Sequence, residues 1–152
     1  MPSYDAHVFD VARVIQLAIA PVFMLTAVAS IINALLGRLA RAVDRRRAVE
    51  GMLETSEGEK YAAGLVELRL LGRRIQLVLW SIGFAVLSAI LVCLLIGTAF
   101  MGAYTSLDLS RTVAILFIAS VAALTGCLLL FMREVFLAAL SMQHNVRTRR
   151  GA

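Results

Sequence analysis

The chain has 152 residues, of which 61% are apolar and 16% are charged, and its formal net charge is +5. Soluble domains contain roughly half apolar and about a quarter charged residues, so this composition indicates a membrane protein and excludes a disordered or low-complexity chain. The length indicates one domain, and two cysteines exclude both a disulfide-stapled scaffold and a four-cysteine zinc site.

Three segments carry no charged residue: 14–36, 75–101 and 112–132. Each is long enough to cross a bilayer as a helix, which needs about 20 residues. The first segment is not a typical cleaved signal peptide, because its apolar run is too long and acidic Asp5 and Asp10 precede it. We therefore predict an all-α integral membrane protein with three transmembrane helices in a single domain, 1–152.

Basic residues predict the orientation, since Lys and Arg are retained on the cytoplasmic side. Thirteen of them lie in the 37–74 connection or in the C-terminal tail, and only Arg13 and Arg111 lie on the opposite side. The N-terminus is therefore expected outside and the C-terminus in the cytoplasm. This partition accounts for the positive charge, and no aromatic residues interleave the arginines as in nucleic-acid sites. No nucleic-acid partner is expected.

Polar and small residues recur along one face of the first helix. The members of this polar stripe are separated by 7, 3, 4, 3 and 4 residues: Gln16, Phe23, Thr26, Ser30, Asn33 and Gly37. Polar groups in hydrocarbon are costly unless they are partnered, so the stripe should not face lipid. It can pack inside the three-helix bundle, lie at a subunit interface, or border a pore in an oligomer. Asn33 is the most informative member, because its amide needs partners beyond its own helix.

Pro21 lies inside the first apolar segment. It leaves the carbonyl of Leu17 without its helical donor, so a bend is expected there. The bend is either a tolerated irregularity or a gating hinge.

The 37–74 connection contains no proline and many helix formers. It should extend the first helix to about residue 54 and, after turn residues 55–58, the second helix from Tyr61, which makes a cytoplasmic hairpin. An antiparallel register predicts three facing pairs: Val43 with Leu70, Asp44 with Arg69, and Arg46 with Glu67.

Arginines of this hairpin are expected to contact lipid headgroups or a cytoplasmic protein partner. They are Arg38, Arg41, Arg45, Arg46, Arg47, Arg73 and Arg74. The third helix should continue into a cytoplasmic C-terminal helix, 133–146, that packs on the hairpin. Small residues predict close helix packing at Ser81, Ala85 and Ser88 of the second helix and at Ala122 and Gly126 of the third.

Catalytic chemistry is not predicted. His7 and His144 fall on opposite sides of the membrane, no serine or cysteine is paired with a base, and no phosphate-binding glycine loop occurs. No predicted span carries a carboxylate. We expect neither an enzyme nor a bound metal or cofactor.

Two runs of residues carry a family resemblance. The runs Ile15-Gln-Leu-Ala-Ile-Ala-Pro-Val-Phe23 and Asn33-Ala-Leu-Leu-Gly-Arg-Leu-Ala-Arg-Ala-Val-Asp-Arg45 resemble the bacterial membrane-protein family DUF2721, and the likeness extends over most of the chain. The resemblance implies a small protein of the bacterial inner membrane and brings no established activity.

Two functional hypotheses follow from these features. The first is a homo-oligomeric channel or pore-like assembly with the first helix at the path or subunit interface. The alternative is a non-conducting scaffold or accessory subunit whose basic hairpin binds a protein partner or anionic lipid.

Overall fold

Three long helices form the computed structural model of the chain. The structure describes the backbone of residues 3–55, 57–105 and 108–149, and the side chains of residue 16 and of 19–55, 57–102, 104–105 and 108–137. The helices are α1 (Ser3–Leu53), α2 (Glu59–Tyr104) and α3 (Ser110–Arg149), and no strand occurs among the described residues. Contacts predicted for the side chains of the tail beyond residue 137 lie outside the described residues.

Each helix contains a stretch that is long and apolar enough to span a membrane: Ile19–Leu53, Glu59–Gly102 and Ser110–Leu137. In hydrocarbon, a helix pairs its backbone donors and acceptors within itself, which is why such segments cross membranes as helices. The chain is therefore an all-helical, multi-pass membrane protein. The predicted segments 14–36, 75–101 and 112–132 lie within α1, α2 and α3 respectively.

Many buried positions on the three helices are separated by seven residues or a multiple of seven. They are Val28, Leu35 and Val49 on α1; Leu71, Val78, Ala85 and Val92, with Ser81, Ser88 and Leu95, on α2; and Ser120, Cys127 and Glu134 on α3. A seven-residue period keeps one side of a helix against its neighbours over many turns. The burial of Ser81, Ala85 and Ser88 confirms the small-residue face predicted for α2. On α3 the prediction was wrong, because Ala122 is exposed while Ala123 and Cys127 are buried.

The chain divides into two compact units. The first comprises α1 up to Ile32 together with Phe84–Thr125. Inside it, the hydroxyl of Ser88 on α2 donates to the carbonyl oxygen of Ser120 on α3 at 2.9 Å. Both serines are fully buried, so small side chains allow the two backbones to approach closely.

The second unit comprises Asn33–Gly83 and α3 from Gly126. It includes the turn between α1 and α2, where Gly58 has a φ of 64° and its carbonyl oxygen accepts from the Ala62 amide at 3.2 Å. A positive φ is accessible to glycine without steric cost. Glycine at this position therefore allows the chain to reverse direction within a few residues.

Candidate functional site

The polar stripe of α1 is exposed in the structure. Phe23 has 71% of its surface accessible, Gln16, Thr26, Ser30 and Asn33 are also exposed, and Gly37 is half-buried. Val28 and Leu35, which are fully buried, lie on the other side of the same helix. The interpretation in which the stripe packs inside the three-helix bundle does not agree with these exposures.

Asn33 differs from the hydroxyl residues of the stripe in its hydrogen bonding. Ser30 donates to the carbonyl oxygen of Thr26 at 3.0 Å, and Thr26 donates to that of Val22 at 3.4 Å. These hydroxyls are thus satisfied by their own helix, as is common for Ser and Thr in membrane helices. Within the described part of the chain, the Asn33 amide has no hydrogen-bond partner, although it carries two donors and an acceptor.

The exposed surfaces of α2 and α3 have a different composition. Over their apolar stretches most large exposed side chains are aliphatic, aromatic or methionine: Leu79, Trp80, Val86, Leu87, Ile90, Leu94, Phe100 and Met101 on α2, and Ile115, Phe117, Ile118, Val121, Leu128, Leu129 and Met132 on α3. Two exposed polar residues, Gln76 and Thr112, lie at the first turn of these stretches. Thr125 of α3 is exposed, but its hydroxyl donates to the Val121 carbonyl oxygen of the same helix at 2.9 Å. These two surfaces are suited to contact with lipid chains. The exposed side of α1 is mixed, because it combines the polar residues of the stripe with the large apolar side chains of Ile19, Val22, Phe23 and Leu36.

Pro21, where a bend or a gating hinge is predicted, is buried and lines a cavity of about 670 Å³ within the first unit. Small side chains on all three helices make this space, and its walls are largely apolar. The lining residues are Ala20, Pro21, Leu95, Ile96, Thr98, Ala99, Gly102, Asp108, Leu109, Ser110, Val113, Ala114 and Phe117.

Among the described residues that line the cavity, Asp108 supplies the one carboxylate. Its Oδ1 accepts a hydrogen bond from the Ser110 amide at 3.1 Å, at the start of α3. Bonds from the hydroxyl and from the amide of Ser110 lower the pKa of Asp108. The side chain therefore carries a negative charge at neutral pH, in the connection between α2 and α3.

Glu134 forms a charged centre that the sequence analysis missed. Its side chain is 3% exposed, and its carboxylate accepts from Arg38 of α1 at 2.5 Å and from Arg74 of α2 at 3.0 Å. The Arg38 guanidinium also lies 5.1 Å from the ring centroid of Phe131, within cation–π distance. One carboxylate thus joins all three helices in the second unit. A sequence signal existed, because Glu134 is the sole acidic residue in α3.

Arg38 and Arg74, which we predicted to contact lipid headgroups or a partner, are therefore bound to Glu134. Their side chains keep 33% and 31% exposure, so their outer edges can still meet a phosphate. Arg41, Arg47 and Arg73 are exposed, and no acidic side chain pairs with them within the described residues.

The predicted register of the α1–α2 hairpin was wrong by one position. Arg45, instead of Arg46, pairs with Glu67 at 2.7 Å, while Arg46 pairs with Glu50 one turn along its own helix. Likewise, Leu71 is buried and Leu70 is exposed.

Comparisons with known proteins identify a family and nothing more specific. Neither the curated proteins nor the solved structures contain a significant match to this chain. A sequence model of the family described as "Protein of unknown function (DUF2721)" matches residues 18–144, which include the polar stripe from Phe23 to Gly37, Pro21 and Glu134. With most of its length matched, the chain belongs to the DUF2721 family.

Proposed function

We propose that the chain assembles into a homo-oligomer in the membrane, in which the polar stripe of α1 borders a water-filled path. The observation that carries the proposal is the difference between exposed surfaces. Apart from Phe23, the stripe presents amide, hydroxyl and small side chains along the span, whereas α2 and α3 present mostly large apolar ones, with the exposed amide of Gln76 at one end of the α2 span.

Asn33 supplies the energetic argument. Leaving an amide in an apolar environment without hydrogen bonds costs about 1–3 kcal/mol on mutational scales. The described chain offers Asn33 no partner, so the partner must come from another molecule, either a second copy or water. Both are present when copies of α1 surround a polar path.

Several copies are needed because three transmembrane helices are too few to enclose a water path. The stripe also has the spacing of a packing surface, since Phe23, Ser30 and Gly37 lie seven residues apart, as do Thr26 and Asn33. That period matches the period of the buried positions on the other side of α1. We infer that α1 has two packing sides, one within the chain and one between chains.

We further propose that the protein lies in the bacterial inner membrane with its N-terminus outside and its C-terminus in the cytoplasm. The hairpin, 37–74, and the C-terminal helix, 133–146, then project into the cytoplasm. The thirteen basic residues on one side support this orientation.

Cysteine cross-linking tests the assembly. In a chain whose Cys93 and Cys127 are replaced by alanine, Ser30→Cys should give covalent dimers with a short bifunctional thiol reagent in native membranes. Val121→Cys, on the exposed surface of α3, is the matched control and should stay monomeric. Equal cross-linking of both variants, or of neither, would contradict the proposed interface.

Flux measurements test whether the polar stripe borders a water-filled path. Asn33→Leu should reduce ion or small-solute flux in proteoliposomes, because it removes the polar group that water would contact. Ile90→Leu, an apolar exchange on the exposed surface of α2, is the control and should leave flux unchanged.

The alternative function, a non-conducting scaffold, is favoured by Arg41, Arg47 and Arg73, which are exposed and have no acidic partner among the described side chains. Anionic lipid or an acidic partner surface would suit these guanidinium groups. A cross-linked assembly that shows no flux in the unmodified chain would support this alternative over the path.

A further inference from the structure

The cavity beside Pro21 is a candidate site for an amphiphile. Its walls come from α1, α2 and α3 within one compact unit, and most of them belong to the stretches able to span the membrane. Its volume of about 670 Å³ falls within the range of small-molecule sites, about 300–1,000 Å³.

The chemistry of the lining limits what can fill this space. Alanine, proline, leucine, isoleucine, valine and phenylalanine provide most of the surface, and apolar cavities do not retain water. In a bilayer the surrounding solvent is lipid, so an acyl chain is both the most abundant and the best matched occupant. The hydroxyl of Thr98 does not oppose this, because it donates to the Leu94 carbonyl oxygen at 2.7 Å.

One end of the cavity carries charge. Asp108 borders the lining, and its bonds with Ser110 leave acceptor capacity, since a carboxylate can accept about four hydrogen bonds. Arg111, exposed on the first turn of α3, brings a positive charge to the same connection. A carboxylate and a guanidinium three residues apart in the sequence supply the charges that complement an ammonium and a phosphate.

We propose that this cavity binds a membrane phospholipid with a primary ammonium headgroup, one acyl chain lying between the helices and the ammonium donating to Asp108. Ethanolamine lipids have N–H donors that can make this bond, whereas choline lipids have none. The site is independent of the path formed by the polar stripe, and each can fail without the other.

Native mass spectrometry of the delipidated full-length chain tests the proposal. Equal amounts of phosphatidylethanolamine and phosphatidylcholine with identical acyl chains are added, and the bound lipid is counted. The chain should retain one lipid per copy, with a preference of about tenfold for the ethanolamine lipid over the choline lipid. A factor of ten corresponds to about 1.4 kcal/mol, which one charge-assisted hydrogen bond can supply. Equal retention of the two lipids would overturn the headgroup assignment.

Two variants test the headgroup contact and the acyl-chain contact separately. Asp108→Asn keeps an oxygen that can accept from the Ser110 amide but removes the charge, so the preference should fall to about onefold while lipid still binds. Ala114→Trp fills the cavity and should abolish retention. Ala122→Trp, at another exposed alanine of α3 outside the cavity, should retain lipid as the unmodified chain does.

Two results would overturn the site itself. The first is unchanged lipid retention in a folded Ala114→Trp variant, with folding judged by far-UV circular dichroism. The second is efficient thiol cross-linking of Ala114→Cys between copies, in the chain without its native cysteines, because a neighbouring chain would then occupy the cavity. If Ala114→Trp does not fold, the lipid preference of Asp108→Asn still tests the headgroup contact. Cross-linking of Ala114→Cys then tests whether a lipid or a neighbouring chain occupies the cavity.

Discussion

Glu134 connects all three helices within the second unit. Its carboxylate is almost fully buried and is held by Arg38 and Arg74 from two other helices. Breaking a buried ion pair by removing one partner leaves the other charge uncompensated. Two guanidinium groups would lose their counter-charge together if this single carboxylate were removed.

We expect Glu134→Gln to lower the free energy of unfolding by about 3 kcal/mol, the lower end of the range for a buried pair, because both arginines are partly exposed. Denaturant titration in detergent, followed by far-UV circular dichroism, measures the change. Glu50→Gln is the matched control, since it removes the exposed Arg46–Glu50 pair, which is worth about 0.3–0.5 kcal/mol. Similar losses in the two variants would show that the Glu134 centre is not a principal tie between helices.

The hairpin pairs illustrate what residue-scale reasoning from the sequence can achieve. Glu67 was correctly expected to face an arginine of α1, but the partner is Arg45 rather than Arg46. Adjacent arginines have the same chemistry, and only the geometry of the turn decides which of them faces Glu67. A difference of one position changes the helix face by about 100°, which also exchanges Leu70 for Leu71 at the buried position.

At the scale of the element, the seven-residue period organises each helix. Over the membrane stretches of α2 and α3, many exposed positions are apolar, as the buried ones are. Hydropathy therefore hardly distinguishes the buried side of each helix from its exposed side. The sequence therefore predicts the existence of these helices well and their inward faces poorly. On α1, polar and small residues supply the contrast, and Gln16, Thr26, Ser30 and Asn33 are exposed in the structure.

Substitution by alanine should have opposite effects on stability at two glycines near the end of the hairpin. Gly58→Ala should destabilise the chain by about 1 kcal/mol, because an L residue is strained at a positive φ. Gly51→Ala should stabilise it by about 0.8–1 kcal/mol, since Gly51 is helical, is exposed and has nothing within 4 Å of an added Cβ. Thermal unfolding of both variants in the same detergent measures the two effects, and a shift of the same sign in both would contradict the description of this turn.

For the whole molecule, orientation can be measured directly. In the chain without its native cysteines, a membrane-impermeant thiol reagent should label Tyr104→Cys in intact cells and Glu57→Cys only after the cells are broken. Tyr104 ends α2 and Glu57 lies in the turn just before α2 begins, and both are exposed. From the charge distribution we expect Glu57 on the cytoplasmic side. Labelling of Glu57→Cys in intact cells would reverse the proposed topology.

The amino-acid sequence alone determined that the chain is helical, that it has three segments able to cross a membrane, and that one side of α1 is unlike the rest. These properties depend on hydropathy and charge summed along the chain, which are local quantities. Only the tertiary structure decided that the polar stripe is exposed, that Glu134 holds Arg38 and Arg74, and that Pro21 and Asp108 border one cavity. Those contacts join residues far apart in sequence, and they depend on the rotation of each helix about its axis, which long apolar runs leave undetermined.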